Sequence, residues 1–121
     1  MRTSLSAISV SLAAILPMAA SAQTAAPPAF ARCSVCHVVA TGKPSGLGPN
    51  LAGVVGRKAG TLPGYSYSAA MKASGIIWSK EAIAAFIANP QGVVKGTKMY
   101  FPGLADPKER AVIAAYLQAK H

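Results

Sequence analysis

Hydrophobic positions recur at helical spacing in the second half of the chain. Ile83, Phe86 and Ile87 fall at i, i+3 and i+4 and predict a helix with one buried face. Ser79 is suited to cap this helix at its start, and Asn89-Pro90 is expected to end it.

A last helix is the best marked of all. Asp106 is its predicted N-cap, followed by Pro107 at N1 and by Glu109 at N3, which together resemble a capping box. Its apolar stripe, predicted to be buried, consists of Val112, Ile113, Tyr116 and Leu117.

Two shorter helical segments are predicted upstream, over 29–37 and over 67–74, with Gly75 placed to stop the second. The segments 38–63 and 91–104 are rich in Gly and Pro or lack periodicity, and they are predicted to be loops. No strand pattern, repeat or second domain is evident. The prediction is a small all-α fold of three to four short helices with long loops.

The N-terminus has the pattern of an export signal. Arg2 is followed by an apolar run from Leu5 to Leu16 and by the small residues Ala20-Ser21-Ala22. A membrane anchor is the alternative, but the run is short for a span. We therefore predict a cleaved signal over 1–22, a disordered lead-in over 23–28, a domain over 29–121 and a periplasmic location.

Composition adds two constraints. Twelve Lys and Arg residues against three Asp and Glu residues give a formal charge of +9, which suits an acidic partner, an anionic membrane or nucleic acid. A few short helices and long loops leave a thin apolar core for one small domain. A large apolar cofactor would supply the missing core.

Cys33-Ser34-Val35-Cys36-His37 has the C-x-x-C-H spacing of covalent haem c attachment. Two intervening residues bring both thiols to one side of a turn, and His37 follows within reach of the iron. A thioredoxin-like pair would need a βαβ pattern, and a zinc site would need further Cys or His ligands. A structural disulfide would leave His37 unexplained.

Two methionines are candidates for a second axial ligand. Met71 lies in an Ala-rich helical stretch and is by default a core residue, whereas Met99 lies in a loop between two helices. A thioether favours reduced iron, and a His/Met pair leaves no open position for oxygen chemistry. This pattern favours electron transfer.

From Cys33 almost to the C-terminus the chain resembles class I cytochrome c, the family of the mitochondrial protein and its close bacterial relatives. The resemblance is carried by CSVCH, GPNL, GRKAG, PGYSYSAA, GIIW, GTKMYFPGL and ERAVIAAYL. It implies one covalent haem c on Cys33 and Cys36, with His37 and Met99 as axial ligands. It further implies that the Pro49 carbonyl holds the His37 ring and that the haem propionates are bound near Arg57, Tyr67, Trp78 and Thr97.

The resemblance also has departures and implies a function. Lys95 stands where the mitochondrial loop has proline, which predicts a less rigid Met99 loop, and Phe86 replaces a tyrosine beside the methionine.

The function that the resemblance implies is that of a monomeric, soluble one-electron carrier, not an enzyme, without a membrane span in the mature chain and without a nucleic-acid partner. It would meet acidic surfaces of a quinol–cytochrome c reductase or terminal oxidase through Arg32, Lys95 and Lys98. The alternatives are a cytochrome subunit of a periplasmic dehydrogenase, and a haem protein with peroxidase or ligand-binding activity when the Met99 bond opens.

Overall fold

The computed structural model describes residue 4, residues 8–17 and residues 25–120. Within them a 3-10 turn, Pro28–Phe30, leads into five α-helices. The helices are α1 (Ala31–Ser34), α2 (Ala69–Ala73), α3 (Lys80–Ala88), α4 (Pro90–Val93) and α5 (Pro107–Gln118). The described residues contain no β-strand, only an isolated bridge between Lys58 and Ile77. The predicted all-α fold with long loops is confirmed, with five short helices in the described residues where three to four were predicted.

Helices α3 and α5 form the principal helix pair of the core. The predicted caps are confirmed: the Ser79 side chain accepts from the Ala82 N–H at 3.0 Å, and Asp106 accepts from the Lys108 N–H at 2.8 Å. The predicted buried face of α3 is also confirmed, since Ile83, Phe86 and Ile87 are all buried.

The predicted stripe of α5 is wrong at one position. Ile113, Tyr116 and Leu117 are buried, but Val112 is 49 % exposed, and Ala114 is buried in its place. Contacts of α5 with both α3 and the 3-10 turn extend its buried face toward Ala114. The 3-10 turn supplies Phe30, whose ring meets that of Tyr116 edge-on at 5.0 Å between centroids.

The short helices differ from the prediction in two respects. The segment 29–37 is helical only as the 3-10 turn Pro28–Phe30, which begins inside the predicted lead-in, and as α1, which ends at Ser34 because the chain continues in turns. Helix α2 begins after the Ser68 cap, and Gly75 follows it with φ 69°, as expected of a helix stop. Helix α4 (Pro90–Val93) overlaps the start of the segment 91–104, which was predicted to be a loop. Asn89 both ends α3 and caps α4, accepting from the Gly92 N–H at 3.1 Å, and Pro90 occupies N1.

The ends of the chain carry the remaining domain predictions. Residues 8–17 are exposed and have no regular secondary structure, and the same holds for residues 25 and 26. The predicted cleavage site at Ala20-Ser21-Ala22 and the terminal His121 lie outside the described residues. No helix in the described ranges has the length and apolar character needed to cross a membrane.

Candidate haem site

A cavity of about 430 Å³ opens between the helices and the long loops. Four of the five helices contribute to its wall, which is largely apolar. The wall includes Phe30, Leu51, Val54, Met71, Trp78, Ile83, Phe86, Ile87, Phe101, Ile113 and Leu117. Its volume falls in the range typical of small-molecule and cofactor sites. The cavity is where a large apolar cofactor could complete the thin core that the sequence predicts.

The two cysteines and the histidine of the C-x-x-C-H motif all line this cavity. After α1 the chain keeps turning, with the Cys36 and His37 N–H groups both donating to the Cys33 carbonyl, at 3.1 and 2.9 Å. This turn brings Cys33, Cys36 and His37 together, and all three line the cavity. The two cysteines form no disulfide, and burial raises the pKa of Cys33, an effect partly opposed by the neighbouring Arg32 charge.

The His37 ring is held in a defined orientation. Its Nδ1 lies 2.8 Å from the Pro49 carbonyl oxygen, and because a carbonyl only accepts, Nδ1 carries the proton. Burial lowers the pKa of the imidazole, against the opposing effect of this hydrogen bond. The ring is thus neutral near pH 7, with the Nε2 lone pair free to bind a metal.

Gly48 lies directly against this ring. A Cβ built on Gly48 would stand 2.5 Å from His37 Cε1 and 2.8 Å from Nδ1, which no side chain tolerates. The backbone around Gly48 and Pro49 therefore both supports the imidazole and approaches it more closely than any other residue type permits.

Met99 and Met71 both line the cavity, so both candidate thioethers reach it. Met71 is buried on α2, in agreement with its predicted core position, and Met99 is half-buried. Thr97 is buried, and its hydroxyl accepts from the Met99 N–H at 3.3 Å. The Met99 loop packs beside the segment before α2, because the Lys98 ammonium donates to the Ser66 carbonyl at 3.0 Å.

The residues predicted to surround the propionates also line the cavity: Arg57, Tyr67, Trp78 and Thr97. The Arg57 guanidinium donates to the Asn50 carbonyl at 3.0 Å and to the Ala52 carbonyl at 3.4 Å. Burial lowers the pKa of Arg57 and raises that of Tyr67, and the proximity of the two groups opposes both shifts.

Asn50 is a structural residue that sequence reasoning did not single out. Its Nδ2 donates to the Ala40 and Lys43 carbonyls at 2.7 and 2.8 Å, and its Oδ1 accepts from the Ala52 N–H at 2.9 Å. One buried side chain thereby connects three positions of the 38–63 loop near Pro49 and Arg57. The GPNL motif contained it, but only the fold gives it these partners.

The three predicted docking residues do not all lie at the cavity. Arg32 and Lys98 line the cavity, whereas Lys95 is exposed and lies outside its lining. No acidic residue of the described ranges lines the cavity. Tyr100, Leu47 and Val35 leave 98, 78 and 75 % of their surfaces exposed, and the first two lie at the cavity itself.

Comparison with known proteins identifies the class. The family model for cytochrome c matches residues 25–120, and the chain belongs to this family.

The relatives include the cytochrome c2 iso-2 of Magnetospirillum fulvum, 48 % identical over 94 residues, which make up 78 % of this chain and 97 % of that protein. The cytochrome c2 of Rhodomicrobium vannielii is 45 % identical over 92 residues, or 76 % of this chain and 74 % of that protein. Among solved structures, cytochrome cH from Methylobacterium extorquens superposes with a TM-score of 0.71 at 46 % identity, covering 76 % of this chain and 92 % of that one.

The chain is therefore a haem-carrying electron-transfer protein whose cofactor is covalent haem c. The cavity fits this group: its wall is apolar, two thiols and a neutral imidazole lie together on one side, and a thioether is available. The sequence-based prediction of the family and of the cofactor is confirmed.

Proposed function

We propose that this protein is a freely diffusing carrier that moves single electrons between respiratory complexes in the periplasm. Cys33 and Cys36 would hold the haem through thioethers, and His37 and Met99 would bind its iron. The observation that carries the proposal is that both ligand side chains line one apolar cavity whose imidazole is already oriented by Pro49. The bound haem supplies the one-electron chemistry.

The chain's own residues set the conditions for that chemistry. The His37 Nδ1–H donates to Pro49, which keeps the ring from rotating and makes Nε2 a better donor. The Met99 thioether is a soft ligand that favours the reduced state, and the apolar wall disfavours added charge. With His37 and Met99 both bound to the iron, small molecules would have no open site, which favours electron transfer over oxygen chemistry.

Arg57, Tyr67, Trp78 and Thr97 form the proposed environment of the propionates. The Arg57 cation is partly removed from water and lies near Tyr67. An anionic carboxylate there would gain a charge-assisted hydrogen bond from a group already fixed by two backbone carbonyls.

Charge supports a transient encounter with an acidic partner. The chain carries +9, and the cations at the cavity, Arg32 and Lys98, have no acidic neighbour in its wall. Such a field raises the association rate without demanding a large tight interface. A quinol–cytochrome c reductase or a terminal oxidase with an acidic docking surface would fit, and the proposed export signal would deliver the protein to the periplasm.

The ligand assignment is tested by replacing each methionine in the haem-loaded protein. Met99→Ala should abolish the weak far-red sulfur-to-iron absorption band and lower the reduction potential. Met71→Leu, the matched control in the same cavity, should keep the band. A band that survives Met99→Ala but disappears in Met71→Leu would refute the assignment.

A further inference from the structure

The segment Lys95–Ala105, called here the Met99 loop, is held by a side chain outside it. The Gln91 carboxamide uses both of its ends on adjacent loop residues. Its Oε1 accepts from the Gly96 N–H at 3.2 Å, and its Nε2 donates to the Thr97 carbonyl at 3.0 Å. These two bonds bracket the Gly96–Thr97 peptide.

The backbone around Gln91 is held in place by hydrogen bonds and by buried neighbours. It lies in the single turn of α4, where Asn89 caps the Gly92 N–H and the Val94 N–H donates to the Pro90 carbonyl at 2.9 Å. Pro90 and Val94, on either side of Gln91, are buried. The backbone of Gln91 is therefore held by the core while its side chain extends to the loop.

The Met99 loop has few constraints of its own near Met99, so the hydrogen bonds from Gln91 matter for its position. Its second residue, Gly96, has φ 92°, a conformation that favours glycine, the residue type with the least restricted backbone. Its first proline is Pro102, three residues beyond Met99. Thr97 connects the support to Met99, because its hydroxyl accepts from the Met99 N–H and its own N–H donates to the Val94 carbonyl at 3.0 Å.

We infer that Gln91 is a positioning residue that holds Thr97 and Met99 against the cavity and keeps the Met99 loop closed. The inference rests on the proposed axial role of Met99, and Gln91 acts through Thr97 without touching the haem site. Lys95, in place of the proline of the mitochondrial loop, predicted a less rigid Met99 loop. The side chain of Gln91 on α4 supplies a constraint on this loop through its two hydrogen bonds.

The test uses the haem-loaded protein with Gln91→Met, which retains side-chain length and removes both hydrogen bonds. Gln118→Met, an exposed glutamine at the end of α5, is the matched control. Exchange of the Gly96 amide hydrogen should accelerate about tenfold in Gln91→Met, as expected for the loss of partly exposed hydrogen bonds. Affinity of the ferric protein for imidazole, which must displace Met99, should rise by about the same factor.

Gln91→Glu provides a second variant, since a carboxylate still accepts from Gly96 but cannot donate to Thr97. Its second carboxylate oxygen would face the Thr97 carbonyl oxygen, two acceptors that repel, so exchange of the Gly96 amide should accelerate at least as much as in Gln91→Met. Gln118→Met should match wild type. Unchanged Gly96 exchange in Gln91→Met would refute the clamp. Faster exchange with unchanged imidazole affinity would refute its action on Met99. Failure of the axial assignment itself would show separately, as a far-red band that persists in Met99→Ala.

Discussion

Replacing Gly48 with alanine should destabilise the haem-loaded protein by displacing the His37 ring. Gly48 is buried and does not have a positive φ, so alanine is acceptable to the backbone and the effect is purely steric. The new Cβ would lie 2.5 Å from His37 Cε1 and 2.8 Å from Nδ1. Because the ring is also held by the Pro49 carbonyl at 2.8 Å from Nδ1, a shift of the ring away from the new methyl group strains this hydrogen bond.

The magnitude follows from two effects and one offset. Overpacking by one methyl group in a well-packed site costs about 1–3 kcal/mol. Weakening the hydrogen bond from Nδ1 to Pro49 costs about 1 kcal/mol more. Alanine restricts the unfolded chain and returns about 0.5 kcal/mol. The free energy of unfolding should therefore fall by about 1.5–3.5 kcal/mol, a large share of the roughly 5–15 kcal/mol typical of a domain.

The assay is guanidinium unfolding of the ferric protein, followed by far-ultraviolet circular dichroism and by haem absorption. Gly46→Ala is the matched control: it also lacks a positive φ, and its Cβ would meet only the Cys36 carbonyl oxygen at 3.3 Å. This control should change the free energy of unfolding by less than about 1 kcal/mol. If Gly48→Ala unfolds within about 0.5 kcal/mol of wild type, the close fit of His37 against Gly48 is wrong.

Three further outcomes are expected. The intact mass of protein from cells able to attach haem should equal the chain from about Gln23 plus one haem, and Cys33→Ala should leave a single thioether or little holoprotein; a mature chain without haem would contradict the attachment. Lys98→Glu should slow electron transfer with an acidic partner and flatten its dependence on salt, since screening shortens to about 8 Å at 0.15 M; a rate indifferent to both changes would exclude the docking surface. Burial raises the pKa of Tyr67, so the unfolded chain ionises first as pH rises through about 10 and wild type loses stability there. Tyr67→Phe should lose less stability between about pH 9 and 11, and identical pH profiles in denaturant titrations would contradict the shift.

The sequence alone determined the features that depend on neighbours along the chain. The Ser79 and Asp106 caps bond to N–H groups two or three residues away, so residue type and spacing were enough to predict them. The same holds for Cys33, Cys36 and His37, which one turn of backbone brings together. The family resemblance extended these local signals to the fold class and the cofactor.

Local patterns misjudged elements whose burial depends on distant partners. Val112 satisfies the helical period of α5, yet it is exposed, because contacts with α3 and the 3-10 turn decide which part of the helix is covered. Helix α4 is a single turn with little periodicity, and it was predicted as loop although Asn89 and Pro90 had the types of a helix start.

Only the tertiary structure decided which side chains act together across the loops. Asn50 meets Ala40, ten residues away, and Lys98 meets Ser66, thirty-two residues away, so no local spacing rule connects them. The side chain of Gln91 reaches Gly96 and Thr97 only because the turn of α4 directs it at them. Hydrogen bonds of this kind depend on where the chain returns in space, and that return is set by burial of the whole apolar surface around the cavity.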